Sequence, residues 1–126
     1  MERKTRQRST ILGVFNETDG PLSPQEVLDK AQEQLPELGI ATVYRNIKSF
    51  VEGGTLQSVP IPGQPDRYEL AGKKHHHHFF CRQCRRAFEM QGCPGTLDDL
   101  APEGFQTEGH EIYLYGLCRE CLEKAP

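Results

Sequence analysis

Apolar residues recur at helical spacing in the first segment of the chain. From Thr5 to about Glu17 the residues Ile11, Leu12 and Phe15 fall on one side of a helical wheel. The run Asp19-Gly-Pro21 ends this segment with residues that favour a turn. The pattern predicts an amphipathic first helix.

A second helix is indicated by its N-terminal chemistry. Ser23 stands at the N-cap position, Pro24 at the first helical position, and Glu26 three residues after the cap, which is the spacing of a capping box. An apolar stripe follows, made of Val27, Leu28, Ala31 and Leu35. A short turn is predicted over 36–39.

The third helix is predicted from about Ala41 to Glu52, because Gly53-Gly54 ends its pattern. One side is apolar and consists of Val43, Ile47, Phe50 and Val51. Polar and basic residues occupy the remainder, namely Thr42, Tyr44, Arg45, Lys48 and Ser49. Three short helices of this kind match a helix-turn-helix DNA reader, but the helix pattern alone favours a plain three-helix packing unit.

The residues after the third helix favour the DNA-binding alternative. Two short extended runs, 55–60 and 66–70, flank a turn-rich loop at 61–65. A hairpin directly after a recognition helix is the wing of a winged helix. The small and basic residues 71–74 then predict a hinge.

The second half of the chain alternates short strands with turns. Strands are predicted at 76–81, 87–90 and 111–117, a short helix at 96–100 and a turn at 102–104. The predicted fold class is α+β. Its domains are a winged-helix DNA-binding domain at 1–70, the hinge at 71–74, and a small α/β metal-binding dimerisation domain at 75–126, whose exposed edge we expect to pair with a second copy.

Charge and composition exclude few classes of function. The 126 residues carry a net charge of −3, and residues 1–60 hold seven Lys/Arg against eight Asp/Glu. DNA contact would therefore depend on local basic clusters, one of which includes Arg6 and Arg8 and another Arg45 and Lys48. No apolar run approaches the ~18 residues that span a bilayer, and the charged N-terminus lacks a signal core. We expect a cytoplasmic protein.

Two Cys-x-x-Cys pairs predict a structural zinc site. Thiols stay reduced in the cytosol, so paired cysteines there favour a metal over a disulfide. Four thiolates close a tetrahedral Zn²⁺ site and stabilise the fold directly. The ligands would be Cys81, Cys84, Cys118 and Cys121.

Four consecutive histidines, followed by two phenylalanines, lead into the first cysteine pair. On a strand, side chains alternate between faces, so His76 and His78 would point one way and His75 and His77 the other. One face could combine with Glu69 and Glu89 in a site suited to zinc, iron, manganese or nickel. The opposite face could combine with His110 and Cys93, although Cys93 could equally be a small buried thiol.

Three motifs together resemble the ferric uptake regulator family of bacterial metal-dependent repressors. The run from Gly39 to Asn46 resembles the family's recognition-helix signature, 75–84 its histidine-rich strand and first cysteine pair, and 110–118 its last strand and second pair. The resemblance covers nearly the whole chain. It implies a homodimer that binds double-stranded operator DNA and represses metal-uptake genes, with no small-molecule substrate and no membrane partner.

The resemblance also implies residue roles. Tyr44 and Arg45 would contact DNA, and the four paired cysteines would hold structural zinc. The regulatory site would be Glu69, His76, His78 and Glu89, and an additional site would include His75, His77 and His110.

Two departures from the family pattern bear on the metal. The region before the second helix reads Gly20-Pro-Leu22 and lacks the histidine that many members contribute to the regulatory site. Cys93 stands near the position where the additional site usually takes a carboxylate. A thiolate favours Zn²⁺ over Fe²⁺, so we expect a regulator of the zinc uptake type, with an iron-responsive repressor as the alternative.

Competing function classes are an enzyme and a zinc-binding module or metal buffer that does not bind DNA. His110-Glu111 is not followed by the second histidine of a zincin, because Leu114 occupies that position. Neither cysteine pair follows a proline, as a deaminase signature requires. We therefore expect no catalytic residues. The near-neutral N-terminal half keeps the module alternative open.

Overall fold

The computed structural model describes residues 2–93 and 97–124. The chain divides into two compact units, and the boundary lies between Lys73 and Lys74. This boundary falls within the segment 71–74, and the assignment of that segment as a hinge stays a prediction. Gly72 has φ = +84°, a conformation that glycine adopts without the steric cost borne by other residues.

The first unit contains three helices and a hairpin. The helices are α1 (Arg3–Glu17), α2 (Pro24–Ala31) and α3 (Ile40–Glu52), and the strands are β1 (Leu56–Val59) and β2 (Arg67–Leu70). The strands pair antiparallel, with Leu56 opposite Leu70 and Val59 opposite Arg67. An isolated antiparallel bridge joins Leu22 to Tyr68, so β2 is paired on both sides at this point.

Local chemistry positions α2 as predicted. The Ser23 hydroxyl accepts from the Glu26 backbone N–H at 3.2 Å, and the Glu26 carboxylate accepts from the Ser23 backbone N–H at 2.9 Å. The capping box is therefore complete, with Pro24 in the first turn. The helix ends at Ala31, so Leu35 lies beyond it and packs against the core from the following turn.

The core of the first unit lies between the three helices and the hairpin. Its members include Ile11, Phe15, Val27, Val43, Ile47, Phe50 and Leu56. Two details correct the sequence patterns. Val14 is buried and had not been predicted, whereas Leu12 and Val51 are only partly buried at the edge of this core.

The second unit is built on a three-stranded sheet. Its strands are β3 (His77–Cys81), β4 (Ala87–Met90) and β5 (Tyr113–Gly116), in the order β4-β3-β5. Strand β3 pairs antiparallel with β4 and parallel with β5. A 3-10 turn occupies Leu97–Leu100, and helix α4 (Arg119–Lys124) ends the described chain.

The predicted elements of this unit need four corrections. The first strand begins at His77 and not at His76. The last strand is shorter than 111–117, because regular pairing covers only Tyr113–Gly116. The helix predicted over 96–100 is a single 3-10 turn from Leu97, and Thr96 lies outside the described residues. Helix α4 was not predicted. The turn at 102–104 is confirmed by the Phe105 N–H, which donates to the Pro102 carbonyl at 3.0 Å.

Within residues 2–93 and 97–124, the helices are too short or too polar to cross a membrane.

Candidate metal centres and nucleic-acid interface

The histidine run leads into the central strand β3: His75 and His76 lie directly before it, and His77 and His78 are its first residues. The Nε2 atoms of His75 and His77 lie 3.1 Å apart. The ring centroids of His76 and His78 lie 4.8 Å apart. The pairing predicted from the sequence is therefore observed, and the segment that enters β3 supplies imidazoles to two separate groups.

The first cluster joins His75 and His77 to two distant residues. His75 Nε2 lies 3.1 Å from His110 Nε2, and Cys93 Sγ lies 3.0 Å from the same His110 atom. Each of the four residues offers one donor atom, and these four atoms all lie within 4.8 Å of one another. Nitrogens at 2.0–2.1 Å from one tetrahedral ion are separated by about 3.4 Å, so this donor set has room for a single ion.

The electrostatics of this cluster favour the neutral form of His77. His77 is only 4% exposed. Burial lowers its pKa below the usual 6.5, and the neighbouring imidazoles of His75, His110, His78 and His76 lower it further. A neutral ring keeps a lone pair for a metal. Three imidazoles and one thiolate form a donor set typical of zinc.

The four paired cysteines form the second cluster. Cys81 ends β3, Cys84 lies in the turn after it, Cys118 precedes α4, and Cys121 lies within α4. Their sulfur atoms all lie within 4.8 Å of one another, and the Cys84–Cys118 Sγ distance is 3.8 Å. A Zn–S length of about 2.3 Å gives a tetrahedral S···S edge of about 3.8 Å, which this spacing matches.

Backbone amides surround the sulfur cluster. Burial opposes ionisation of Cys81, but hydrogen bonds from the amides of Cys118, Cys84 and Gln83 outweigh it and lower the pKa of Cys81 to about 6. The Cys118 N–H donates to Cys81 Sγ at 3.4 Å. Burial raises the pKa of Cys121 to about 12. The cluster thus favours a thiolate at Cys81, which is the form that binds metal.

The turn from Cys81 to Arg86 contains one unusual backbone conformation. The Arg85 N–H donates to the Cys81 carbonyl at 2.9 Å, and the Cys81 N–H donates to the Arg86 carbonyl at 3.0 Å. Arg85 adopts φ = +63° to close this turn. Left-handed backbone at a residue with a side chain costs about 1 kcal/mol or more, so the loop that presents Cys84 is strained.

The third predicted set is distributed over both units. His76 Nε2 lies 3.5 Å from Glu89 Oε1, and Glu89 stands opposite His78 in the β3–β4 register. Glu69 lies on β2 in the first unit, where its carboxylate accepts from Gln57 Nε2 at 2.7 Å. Within the second unit, the structure therefore brings together His76, His78 and Glu89.

The predicted DNA-contacting residues lie on α1 and α3 of the first unit. Tyr44 is 56% exposed, Arg45 and Lys48 are exposed, and Thr42 is half-buried. An Arg45 guanidinium N–H donates to Thr42 Oγ1 at 3.0 Å. The two predicted residues on α1, Arg6 and Arg8, are both exposed.

Arg8 is held against α3. Its guanidinium donates to Ser49 Oγ at 3.1 Å and lies 4.3 Å from the centroid of the Phe50 ring. Both contacts fix the orientation of the side chain while its charge stays exposed. The structure thus presents one basic group of α1 next to the polar face of α3.

Sequence reasoning missed Arg86 and Glu120. Arg86 NH2 donates to Glu120 Oε2 at 3.1 Å, and Arg86 Nε donates to Cys84 Sγ at 3.4 Å. A basic residue two positions after a cysteine pair was the available signal. Its partner could not be identified without α4, which was not predicted.

Comparisons with known proteins agree with this architecture. A family model described as the ferric uptake regulator family matches residues 2–115. The chain is 32% identical over 122 residues to a ferric uptake regulation protein of Campylobacter jejuni, covering 93% of this chain and 78% of that protein.

Two solved structures are similar over nearly the whole chain. A zinc-bound manganese uptake regulator matches with a TM-score of 0.82 at 25% identity, covering 93% of this chain and 91% of that one. A ferric uptake regulator from Francisella tularensis with iron matches with a TM-score of 0.71 at 29% identity, covering 93% and 92%.

These likenesses confirm the predicted α+β class, with an N-terminal winged-helix DNA-binding domain and a small C-terminal metal-binding dimerisation domain. Proteins of this family regulate transcription and are not enzymes. The chain belongs to the ferric uptake regulator family of metal-responsive, DNA-binding transcriptional repressors.

Proposed function

We propose that this protein is a zinc-responsive repressor of metal-uptake genes that binds its operator as a homodimer in the cytoplasm. The observation that carries the zinc assignment is the Cys93 thiol, whose sulfur lies 3.0 Å from His110 Nε2 in the cluster with His75 and His77. A thiolate among imidazoles is a softer donor set than carboxylates and imidazoles, and it favours Zn²⁺ over Fe²⁺.

We assign structural Zn²⁺ to the cysteine cluster, with Cys81, Cys84, Cys118 and Cys121 as ligands. The 3.8 Å sulfur separation supports this assignment, as does the location of the two pairs. The first pair begins at the last residue of the central strand β3, and the second begins just before α4 and ends within it. An ion there would hold the C-terminus of the described chain to the sheet and stabilise the unit.

We assign the regulatory site to Glu69, His76, His78 and Glu89. The short distances among His76, His78 and Glu89 support the part within the second unit. Glu69 would be the ligand contributed by the wing, because it lies near the end of β2. The histidine that many family members add before α2 is missing at 20–22, so coupling to the DNA-binding domain would depend on Glu69.

The proposed mechanism is a shift between conformations. When Glu69 joins His76 and His78 around one ion, the segment 71–74 loses freedom and the spacing of the two α3 helices in a dimer is set. Two half-sites about one DNA turn apart can then be bound together. Linkage is reciprocal, so DNA must strengthen metal binding by the factor by which metal strengthens DNA binding.

We propose that α3 reads the operator through Thr42, Tyr44, Arg45 and Lys48, with Arg6 and Arg8 contacting phosphates. Exposure of Tyr44, Arg45 and Lys48 supports these roles. The net charge of −3 offers no general attraction to DNA. Affinity would thus depend on these few local groups and fall steeply with added salt.

We further propose that β5 forms the dimer contact. It is one of the two edge strands in the sheet order β4-β3-β5, and its Leu114 and Tyr115 side chains are 51% and 71% exposed. Burial of such apolar surface against a second copy would stabilise a small domain. Sedimentation of Leu114→Asp should show more monomer than the parent, and an unchanged dimer would contradict this contact.

The deciding experiment compares two histidine pairs on opposite faces of one strand. In a mobility shift with operator DNA and titrated Zn²⁺, His76→Ala with His78→Ala should abolish metal-dependent binding while the far-UV spectrum stays unchanged. The matched control is His75→Ala with His77→Ala, which should retain a metal response. Equal DNA binding by the first double variant and the parent would reject the regulatory assignment. If the parent protein does not bind operator DNA even with metal, the result would favour the alternative of a zinc-binding module or metal buffer that does not bind DNA.

An iron-responsive repressor is the second candidate. The observation favouring it is the regulatory ligand set, because imidazole and carboxylate donors suit Fe²⁺ as well as Zn²⁺. Metal analysis of protein purified without added metal, followed by anaerobic titration of DNA binding with each ion, separates the two. The iron sensor would be selected if DNA binding is half-maximal at a free Fe²⁺ concentration below that in the cell. Zn²⁺ would then fill the cysteine site without increasing DNA binding.

A further inference from the structure

One side chain connects the two cysteine pairs. Arg86 Nε donates to Cys84 Sγ at 3.4 Å, and Arg86 NH2 donates to Glu120 Oε2 at 3.1 Å. Glu120 lies on α4 between Cys118 and Cys121. The guanidinium therefore bridges from the turn that carries the first pair to the helix that carries the second.

The backbone and a neighbouring ring fix the position of this guanidinium. The Arg86 carbonyl accepts from the Cys81 N–H at 3.0 Å, which ties the residue to the end of β3. The guanidinium carbon lies 5.3 Å from the centroid of the Phe88 ring, within the range of a cation–π contact. The planar group can therefore use two donors at once without much loss of side-chain entropy.

The charge at the cluster explains what such a bridge does. One Zn²⁺ and four thiolates carry a net charge of −2. A guanidinium N–H donated to a thiolate offsets part of this charge and orients the sulfur. Among the four cysteines, Cys81 and Cys121 are buried, whereas Cys84 and Cys118 are partly buried. Cys84 is thus a thiolate that solvent, chelators and electrophiles can reach.

We propose that Arg86 is a positioning residue that holds Cys84 and α4 on the ion and sets how slowly the four-cysteine site loses zinc. The proposal rests on the assignment of structural zinc made above. Because Arg86 and Glu120 are 45% and 66% exposed, their ion pair contributes little to the unfolding free energy. Loss of Arg86 should therefore change the rate of zinc release and the reactivity of the Cys84 thiolate.

The test measures zinc release from full-length, zinc-loaded protein into excess 4-(2-pyridylazo)resorcinol. Loss of a side chain that orients a metal ligand typically weakens metal binding by about 10–100-fold, so Arg86→Ala should release zinc about tenfold faster or more. Arg86→Lys retains the charge but not the fork of donors and should give an intermediate rate. The matched control is Arg82→Ala, an exposed arginine of the same turn, which should release zinc at the parent rate.

A second readout identifies the ligand that is set free. Iodoacetamide labelling followed by mass spectrometry should show faster alkylation of Cys84 in Arg86→Ala than in the parent, ahead of Cys81 and Cys121. Glu120→Gln should accelerate zinc release modestly in the parent background and not at all in the Arg86→Ala background. Additive effects of the two substitutions would reject the bridge.

Two outcomes would overturn the proposal outright. One is a parent-like release rate in Arg86→Ala, and the other is equal acceleration in Arg82→Ala, which would indicate a general charge effect. If Arg86→Ala does not fold, Arg86→Lys and Glu120→Gln decide by the same rates. A parent protein that holds no thiolate-bound zinc after purification would instead reject the structural-zinc assignment, so the two failures are distinguishable.

Discussion

Arg67 and Ser23 donate hydrogen bonds to the same carboxylate oxygen, Oε1 of Glu26. Glu26 thereby completes the capping box of α2 and also pairs with an arginine of β2 that is 5% exposed. Wing and helix are connected through one oxygen atom. The neighbouring Leu22–Tyr68 bridge reinforces this connection.

Removal of Arg67 should destabilise the first unit. Deleting one partner of a buried arginine–carboxylate pair typically lowers the unfolding free energy by several kcal/mol. Because Glu26 is partly exposed, the loss should be smaller here, and we expect Arg67→Met to lower the unfolding free energy by about 2 kcal/mol. Urea unfolding monitored by circular dichroism measures the difference.

Two controls separate the ion pair from the cap. Glu26→Gln keeps an oxygen for the Ser23 N–H but loses the charge that faces Arg67, whereas Ser23→Ala removes the hydroxyl half of the cap and should cost about 1 kcal/mol. A loss in Arg67→Met no larger than that of an exposed arginine substitution would show that the pair does not stabilise this unit.

Arg85→Gly should stabilise the zinc-loaded protein. Arg85 has φ = +63°, and glycine adopts this conformation without strain, although it also gains freedom in the unfolded chain. The net gain should be about 0.5–1 kcal/mol. Thermal unfolding of the two proteins at equal zinc content measures it. Arg82→Gly serves as the control and should destabilise, since Arg82 is not among the residues with positive φ.

Stability should fall on acidification through protonation of His77. Burial and the neighbouring imidazoles lower the pKa of His77 in the folded protein, so between that pKa and 6.5 the unfolded chain binds more protons than the folded one. The unfolding free energy therefore rises with pH across this window and decreases as pH falls below 6.5. Urea unfolding at several pH values, with only the cysteine site loaded, tests this. His77→Gln should flatten the slope, and an unchanged slope would exclude His77 as its origin.

Substitution of Cys93 should change the metal preference of the histidine cluster. Cys93→Asp replaces the thiolate with a carboxylate beside His110, so Zn²⁺ affinity should fall more than Fe²⁺ affinity, by about tenfold in the ratio. In cobalt-loaded protein, the sulfur-to-cobalt charge-transfer absorption should drop to that of the cysteine site alone. Retention of the extra absorption would show that Cys93 is not a ligand.

Local patterns sufficed for much of the fold. The capping residues placed the start of α2, and the glycines after Glu52 placed the end of α3, because both signals act through backbone hydrogen bonds only a few residues apart. The helical wheel identified most of the first core but included Leu12 and omitted Val14, since it could not show which side of α1 the other helices cover. Helix α4 was missed because six residues carry too little periodicity.

The sequence by itself determined that the four histidines serve two faces, because strand side chains alternate with a period of two whatever the strand pairs with. It also determined the two cysteine pairs by their spacing. The tertiary structure alone decided that His75 meets His110, 35 residues away, and that Arg86 meets Glu120, 34 residues away. Those contacts follow from the parallel pairing of β5 with β3, and such non-local pairing leaves no signal in local periodicity.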